Sequence, residues 1–463
     1  MEYLAVRWRR AGIAALHVAA WHHYDSDPAK DAFLKRLIEA CHRNSILVYA
    51  WLELPHVSES FWDSHPEWRE KTAIGQDAHL DWRKLMNLNN PDCAKAVTEG
   101  VRALIGRHDW DGVNLAELYF ESLEGMENPA RFTPMNADVR ARFRTEQGFD
   151  PLDIFGSKAG DATAKATFLN FRAGLAKQMQ ETWLGEIAMI RRKKPHLDLV
   201  LTHVDDRFDT RMRDLIGADA ARLLPQLDKL DFTFLIEDPA TIWNLGPQRY
   251  PQIAERYKPL TPHQSKLAID INIVERYQDV YPTKQQTGVE LFQLVHVAAK
   301  AFPRVALYFE NSIVPEDLPL VASAAAVVTR HEIVGGKTVV ESPHGVGIPW
   351  KGEALVNGNL WPVRSDETLW LPPGAVAVES ATQVVPLHIL DFNGSLRSAS
   401  TEVNGVTIAY QQPSRAIAIV DRMVERVEVD GAEVTPQITK LDKGQFMVML
   451  PGGQHIVSLR IGN

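Results

Sequence analysis

The sequence predicts an α/β protein: a (β/α)8 TIM barrel, its first strand missing from the chain or borrowed, followed by an all-β sandwich. Three observations predict it. Through about residue 327, short apolar runs alternate with long amphipathic stretches, the pattern of a parallel sheet covered by helices. The apolar runs are nearly unbroken Val, Ile, Leu and Ala, as strands buried on both faces require. From about Val327 the long helical patterns stop, and Gly, Pro, Asn and Asp punctuate short strands. The expected division is a barrel over residues 1–327 and an accessory β-sandwich over 328–463.

Taken in order, Met1–Arg10 reads as the tail of a helix that leads through Ala11 and Gly12 into a strand. An opening in the middle of a βα unit predicts that one strand preceded residue 1. The strands expected are Ile13–Trp21, Ile46–Leu54, Gly112–Phe120, Leu197–Val204, Asp231–Ile236, Leu267–Ile273 and Val305–Phe309. Helical patterns lie between them, among them Lys30–Arg43, Ala94–Arg107, Ala162–Lys193 and Thr287–Ala301. Seven strands joined by right-handed crossovers fall one short of a complete barrel. In the second region, turn signals such as Asn357-Gly-Asn, Leu371-Pro-Pro-Gly and Val429-Asp-Gly-Ala recur at sandwich spacing. One barrel connection is long, from Pro55 to Asn87, and carries Trp62, Trp68 and Trp82 among many charges. A loop of that length after a strand belongs on the carboxyl face, where barrel enzymes act.

Composition excludes several functions. The 463 residues, 45% of them hydrophobic, are enough for a barrel of about 250 residues and a second domain. Fifty Lys and Arg against 59 Asp and Glu give a net charge of −9, which opposes nucleic acid as the main ligand. No apolar run approaches about 18 residues, so no transmembrane segment is expected. The two cysteines, Cys41 and Cys93, allow at most one disulfide and no zinc ribbon. Residues 1–10 have neither signal-peptide nor transit-peptide form. No Gly-x-Gly-x-x-Gly follows a strand, and Walker A, Gly-x-Ser-x-Gly and His-Glu-x-x-His motifs are missing, so no cofactor and no metal are expected.

The strand ends carry the chemistry. They read Trp21-His22-His23-Tyr24-Asp25, Trp51-Leu-Glu53, Asn114-Leu-Ala-Glu117-Leu-Tyr119, His203-Val-Asp205-Asp206, Glu237-Asp238-Pro239, Asp270-Ile-Asn272 and Tyr308-Phe-Glu310-Asn311. Any one acid there could cap the following helix. Carboxylates from many strands at one mouth, among tryptophans and tyrosines, are what glycoside cleavage needs. One acid protonates the leaving oxygen, while a second carboxylate attacks the anomeric carbon or activates water. Glu117 is the leading catalytic candidate, with Glu237, Asp270 and Glu310 as possible partners. Substrate contacts are expected from Trp21, His22, Trp51, Glu53, Trp62, Trp68, Asn114, Tyr119, His203, Asp205 and Tyr308. Asn114 lies three positions before Glu117, so strict alternation sets them on opposite faces unless a bulge or strand end intervenes. Trp62 and Trp68 are expected at the cleft as sugar platforms, the competing expectation being burial in the loop.

Residues 46–120 also resemble the bacterial glycosyl-hydrolase-like TIM-barrel families, which include the hydrolase domain of poly-N-acetylglucosamine-processing proteins. The matching stretches are Ile46-Leu-Val-Tyr-Ala-Trp51-Leu-Glu-Leu-Pro55, His65-Pro66-Glu67-Trp68, Leu85-Met-Asn87-Leu-Asn89-Asn-Pro91 and Trp110-Asp111-Gly112-Val-Asn-Leu-Ala-Glu117. The resemblance extends loosely over residues 10–310 and puts Glu117 at the families' acidic position, where they usually carry an Asp or an Asp-Asp pair. It implies a glycoside hydrolase acting on a bacterial or environmental polysaccharide, periplasmic or extracellular in the full-length protein. The alternatives are a barrel that binds sugar without cleaving it and a metal-dependent hydrolase built on His203, Asp205 and Asp206. Oligomeric state is not legible.

Overall fold

A computed structural model describes residues 1–20, 25–238, 240–275 and 284–462. Seven parallel strands form one curled sheet: Ala15–Ala19, Leu47–Glu53, Gly112–Ala116, Asp198–Val204, Thr233–Glu237, Leu267–Asn272 and Val305–Tyr308, paired in chain order. All seven match apolar runs of the sequence. The first pairs only with the second and the seventh only with the sixth, so the sheet does not close on itself among the described residues. Burial follows from this. Residues of the third and fourth strands are buried throughout, whereas all residues of the first and seventh are half-exposed.

Helices cover the outside of the sheet. Three of the long ones begin at a side-chain cap. Asp27 accepts the amides of Ala29 and Lys30 ahead of Pro28–Arg43. Asn90 does the same for Asp92 and Cys93 ahead of Pro91–Arg107, and Asp161 for Thr163 and Ala164 ahead of Ala162–Arg191. Outward-facing strand residues such as Leu199, Leu201, Phe234 and Ile236 join these helices in the main core. The opening helix spans Glu2–Arg10, as its pattern predicts. No helix among the described residues is long and apolar enough to cross a membrane.

The last helix is Leu318–Ala325, and from Arg330 onward antiparallel sheets take over. They share one core that runs from Val340 to Leu459. One strand, Ala416–Val420, is buried on both faces. Ala416, Ala418 and Val420 face the sandwich core. Ile417 and Ile419, with Met447, pack on Leu47, Tyr49, Val200, Leu235 and Ala268 from the amino ends of the barrel strands. The sandwich therefore plugs the amino end of the barrel. Arg415 reinforces this contact, with Nη2 at 2.6 Å from Asp109 and Nε at 2.7 Å from Asp111. The carboxyl ends of the strands remain for chemistry.

Candidate active site

Inside the curled sheet lies a cavity of about 1240 Å3. Its walls near the carboxyl end carry Trp51, Asn114, Glu117, Glu237, Asp270 and Tyr308. Register explains this grouping. Trp51 pairs across to Asn114, Glu237 to Asp270 and Asn272 to Tyr308, and residues level with one another in a sheet share a face. Glu117 is placed by a break in the strand. The third strand ends at Ala116, and Glu117 adopts a left-handed backbone, φ +57°. That turn brings Glu117 to the same cavity as Asn114. A left-handed glutamate is strained, and such strain gathers at functional positions.

Glu117, Glu237 and Asp270 share the cavity wall with the Tyr308 phenol. Burial, then the charges of Glu117, Glu237, Glu53 and Asp270, push the Tyr308 hydroxyl far above the ordinary tyrosine range. Tyr119 is raised in the same way, by burial and then by Glu117 and Glu237. Trp51 meets Tyr308 edge-on, ring centroids 5.3 Å apart. Asn114 donates from Nδ2 to His17 Nδ1 at 3.1 Å and accepts from Thr202 at 2.9 Å. Burial lowers His17 to about 4, so its ring is neutral and able to accept.

Glu53 and Glu117 are hydrogen-bonded to each other. Burial raises both, and Glu53, which also faces the Glu117 charge, lies well above the carboxylate range. Glu117 is the member of the pair on the cavity side. Arg83 closes the group. Its Nε lies 3.2 Å from Glu53 and its Nη2 2.8 Å from Glu117, and Nη1 pairs with Glu121. This guanidinium is 3% exposed, and its charge is compensated by three carboxylates. It comes from a two-stranded hairpin, His79–Leu80 and Arg83–Lys84, inside the long loop.

Asp270 is raised to about 7, first by burial and then by Asp238. Its Oδ1 is buried without a hydrogen-bond partner. Glu237 accepts from Asn272 Nδ2 at 3.3 Å.

Other expected site residues lie elsewhere. His203 points out of the barrel, against Phe234 at 5.1 Å and 3.5 Å from Asp206. Asp205 accepts the amides of Arg207, Phe208 and Asp209, and Asp206 binds Arg207 and the Tyr257 hydroxyl. The cluster considered for a cation thus shapes a turn. Glu310 does line the cavity, but it is exposed and accepts from the Trp8 indole at 3.3 Å. Trp62, 5% exposed, fills the loop under Arg69, whose guanidinium stacks 4.7 Å from its ring. Trp68 stacks on His65 at 4.3 Å and packs against the main core. Trp62 is thus buried in the loop, whereas Trp68 is half-buried. Trp21 and His22, with Pro239, lie outside the described residues. Sequence reasoning missed Arg83 and His17 as members of the site and passed over Trp82, whose Nε1 donates to Glu53 at 3.3 Å.

No family model matches the chain, and no curated protein matches it. Solved structures do. The glycoside hydrolase domain of PgaB (BpsB) from Bordetella bronchiseptica aligns with a TM-score of 0.50 and 11% identity, over 70% of this chain and 91% of that one. A β-galactosidase from the Antarctic haloarchaeon Halorubrum lacusprofundi aligns with a TM-score of 0.50 and 9% identity, over 100% of this chain and 96% of that one. At these identities the likeness is one of architecture: the chain has a TIM-barrel type of curled parallel sheet followed by antiparallel β-sheets.

Proposed function

We propose that the protein is a glycoside hydrolase that cleaves a polysaccharide or oligosaccharide at the carboxyl mouth of its barrel. The observation that carries this reading is that Glu117, Glu237 and Asp270 share the walls of one cavity with Trp51, Asn114 and Tyr308. Glu117 faces the cavity and gives the leaving oxygen a proton, which reaches it from Glu53 across the hydrogen bond between them. Glu237 serves as the second carboxylate, attacking the anomeric carbon or taking a proton from water. Asn114, held by Thr202 and His17, and the Trp51–Tyr308 wall line the space for the sugar.

One observation favours a second reading, a barrel that binds sugar without cleaving it. Arg83 contacts both Glu53 and Glu117, and a fixed cation works against release of a proton from either to the sugar. A panel of polysaccharides assayed for new reducing ends, wild type beside Glu117→Gln, separates the two. Cleavage by wild type that Glu117→Gln loses supports the hydrolase. Binding without cleavage by wild type supports the second reading.

A further inference from the structure

We propose that Trp82 is the sugar platform of this mouth, stacking on the apolar face of a neutral pyranose next to the bond to be cleaved. This rests on the carbohydrate reading above and names the residue that positions the sugar. Trp82 is 48% exposed, although tryptophan carries one of the largest apolar surfaces of any side chain. It is not at the end of a mobile tail. It follows Asp81 in a tight turn between the paired strands His79–Leu80 and Arg83–Lys84, and Asp81 has a left-handed backbone, φ +58°. Both neighbours are pinned. Arg131 Nη2 binds Asp81 at 2.7 Å, and Arg83 is buried against Glu53, Glu117 and Glu121.

The indole N–H donates to Glu53 at 3.3 Å, and Glu53 is hydrogen-bonded to Glu117. The ring is thus held one carboxylate away from the cavity acid, and its apolar area reaches solvent. A rigid, exposed aromatic beside buried acids loses little entropy on capturing a ring. Carboxylates dominate the surroundings and Arg83 is already compensated, so an anionic sugar is disfavoured and a neutral one fits.

The test is titration of intact wild type, Trp82→Ala and Trp82→Phe with a panel of neutral pentasaccharides (cello-, xylo-, manno- and galacto-series), followed by tryptophan fluorescence. Hydrolysis is measured on whichever sugar binds. Trp82→Ala should weaken binding and raise KM about tenfold or more, with kcat held within a few-fold. Trp82→Phe keeps a ring but lacks the N–H, and should retain most of the affinity. If Trp82→Ala binds as wild type does, the platform is refuted while the hydrolase reading stands. If both variants keep KM and share a displaced pH profile, Trp82 acts only through Glu53 and the platform is again refuted. If no pentasaccharide binds wild type, the carbohydrate reading falls and the platform with it.

Discussion

Glu53 and Glu117, on neighbouring strands of the barrel, share a hydrogen bond while Arg83 contacts both. Two buried carboxylates this close cannot both ionise cheaply, so the proton of one is retained to higher pH than either would keep alone. Glu53 retains that proton and holds Glu117 down through the hydrogen bond between them, and Glu53→Ala removes that bond. The Glu117 pKa should rise, and the basic limb of the kcat/KM profile should move to higher pH. A basic limb that stays in place would separate Glu53 from the mechanism.

Arg83 is bonded to all three acids Glu53, Glu117 and Glu121. Arg83→Met leaves that group uncompensated and should destabilise the protein by about 3–5 kcal/mol at pH 7. The deficit should shrink at pH 5, because the carboxylates then carry protons in the folded state. Urea midpoints at the two pH values measure this. Equal midpoints for wild type and variant at pH 7 would show that the three ion pairs contribute nothing net.

Asp270 has a pH signature of its own. Its folded value of about 7 exceeds the ordinary Asp value, so the folded state binds the extra proton between about pH 4 and 7. Stability is therefore lost as pH rises through that window, by up to roughly 1.4 kcal/mol per unit, and the full penalty is present above it. Asp270→Asn cannot ionise. Its melting temperature relative to wild type should rise from pH 5 to pH 8. A difference that does not change with pH would mean that Asp270 is solvated.

Trp62 belongs to the fold of the long loop. Trp62→Ala should cost about 3 kcal/mol through lost packing against Arg69, while sugar affinity changes little apart from the population unfolded. Weakened binding at unchanged stability would return Trp62 to the cleft.

The barrel was legible because its strands are apolar on both faces and end in polar residues, so Glu117, Glu237 and Asp270 could be read as acids at the mouth. Parity was the weak point. The run His203-Val-Asp205-Asp206 looks like another strand end, yet Val200 and Thr202 face the cavity and His203 therefore faces the helices. Asn114 and Glu117 were expected on opposite faces unless the strand ended, and it does end, at Ala116. The Arg83 contacts could not be read at all. They join a loop hairpin to residues 30 to 38 positions away, and nothing in the local pattern distinguishes Arg83 or Trp82 from the loop's other charges and aromatics. Trp62 and Trp68 drew attention by residue type, and burial decides between platform and core.

The most direct measurement compares Glu117→Gln with wild type on two substrates: the oligosaccharide that wild type cleaves, and an aryl glycoside of the same sugar with a good leaving group. Removing the acid should lower turnover on the oligosaccharide by about 10²–10⁴-fold, and much less in the bond-breaking step of the aryl glycoside, whose leaving group needs little protonation. Equal turnover by Glu117→Gln and wild type on the oligosaccharide, or equal losses on both substrates, would contradict the assignment of Glu117 as the acid.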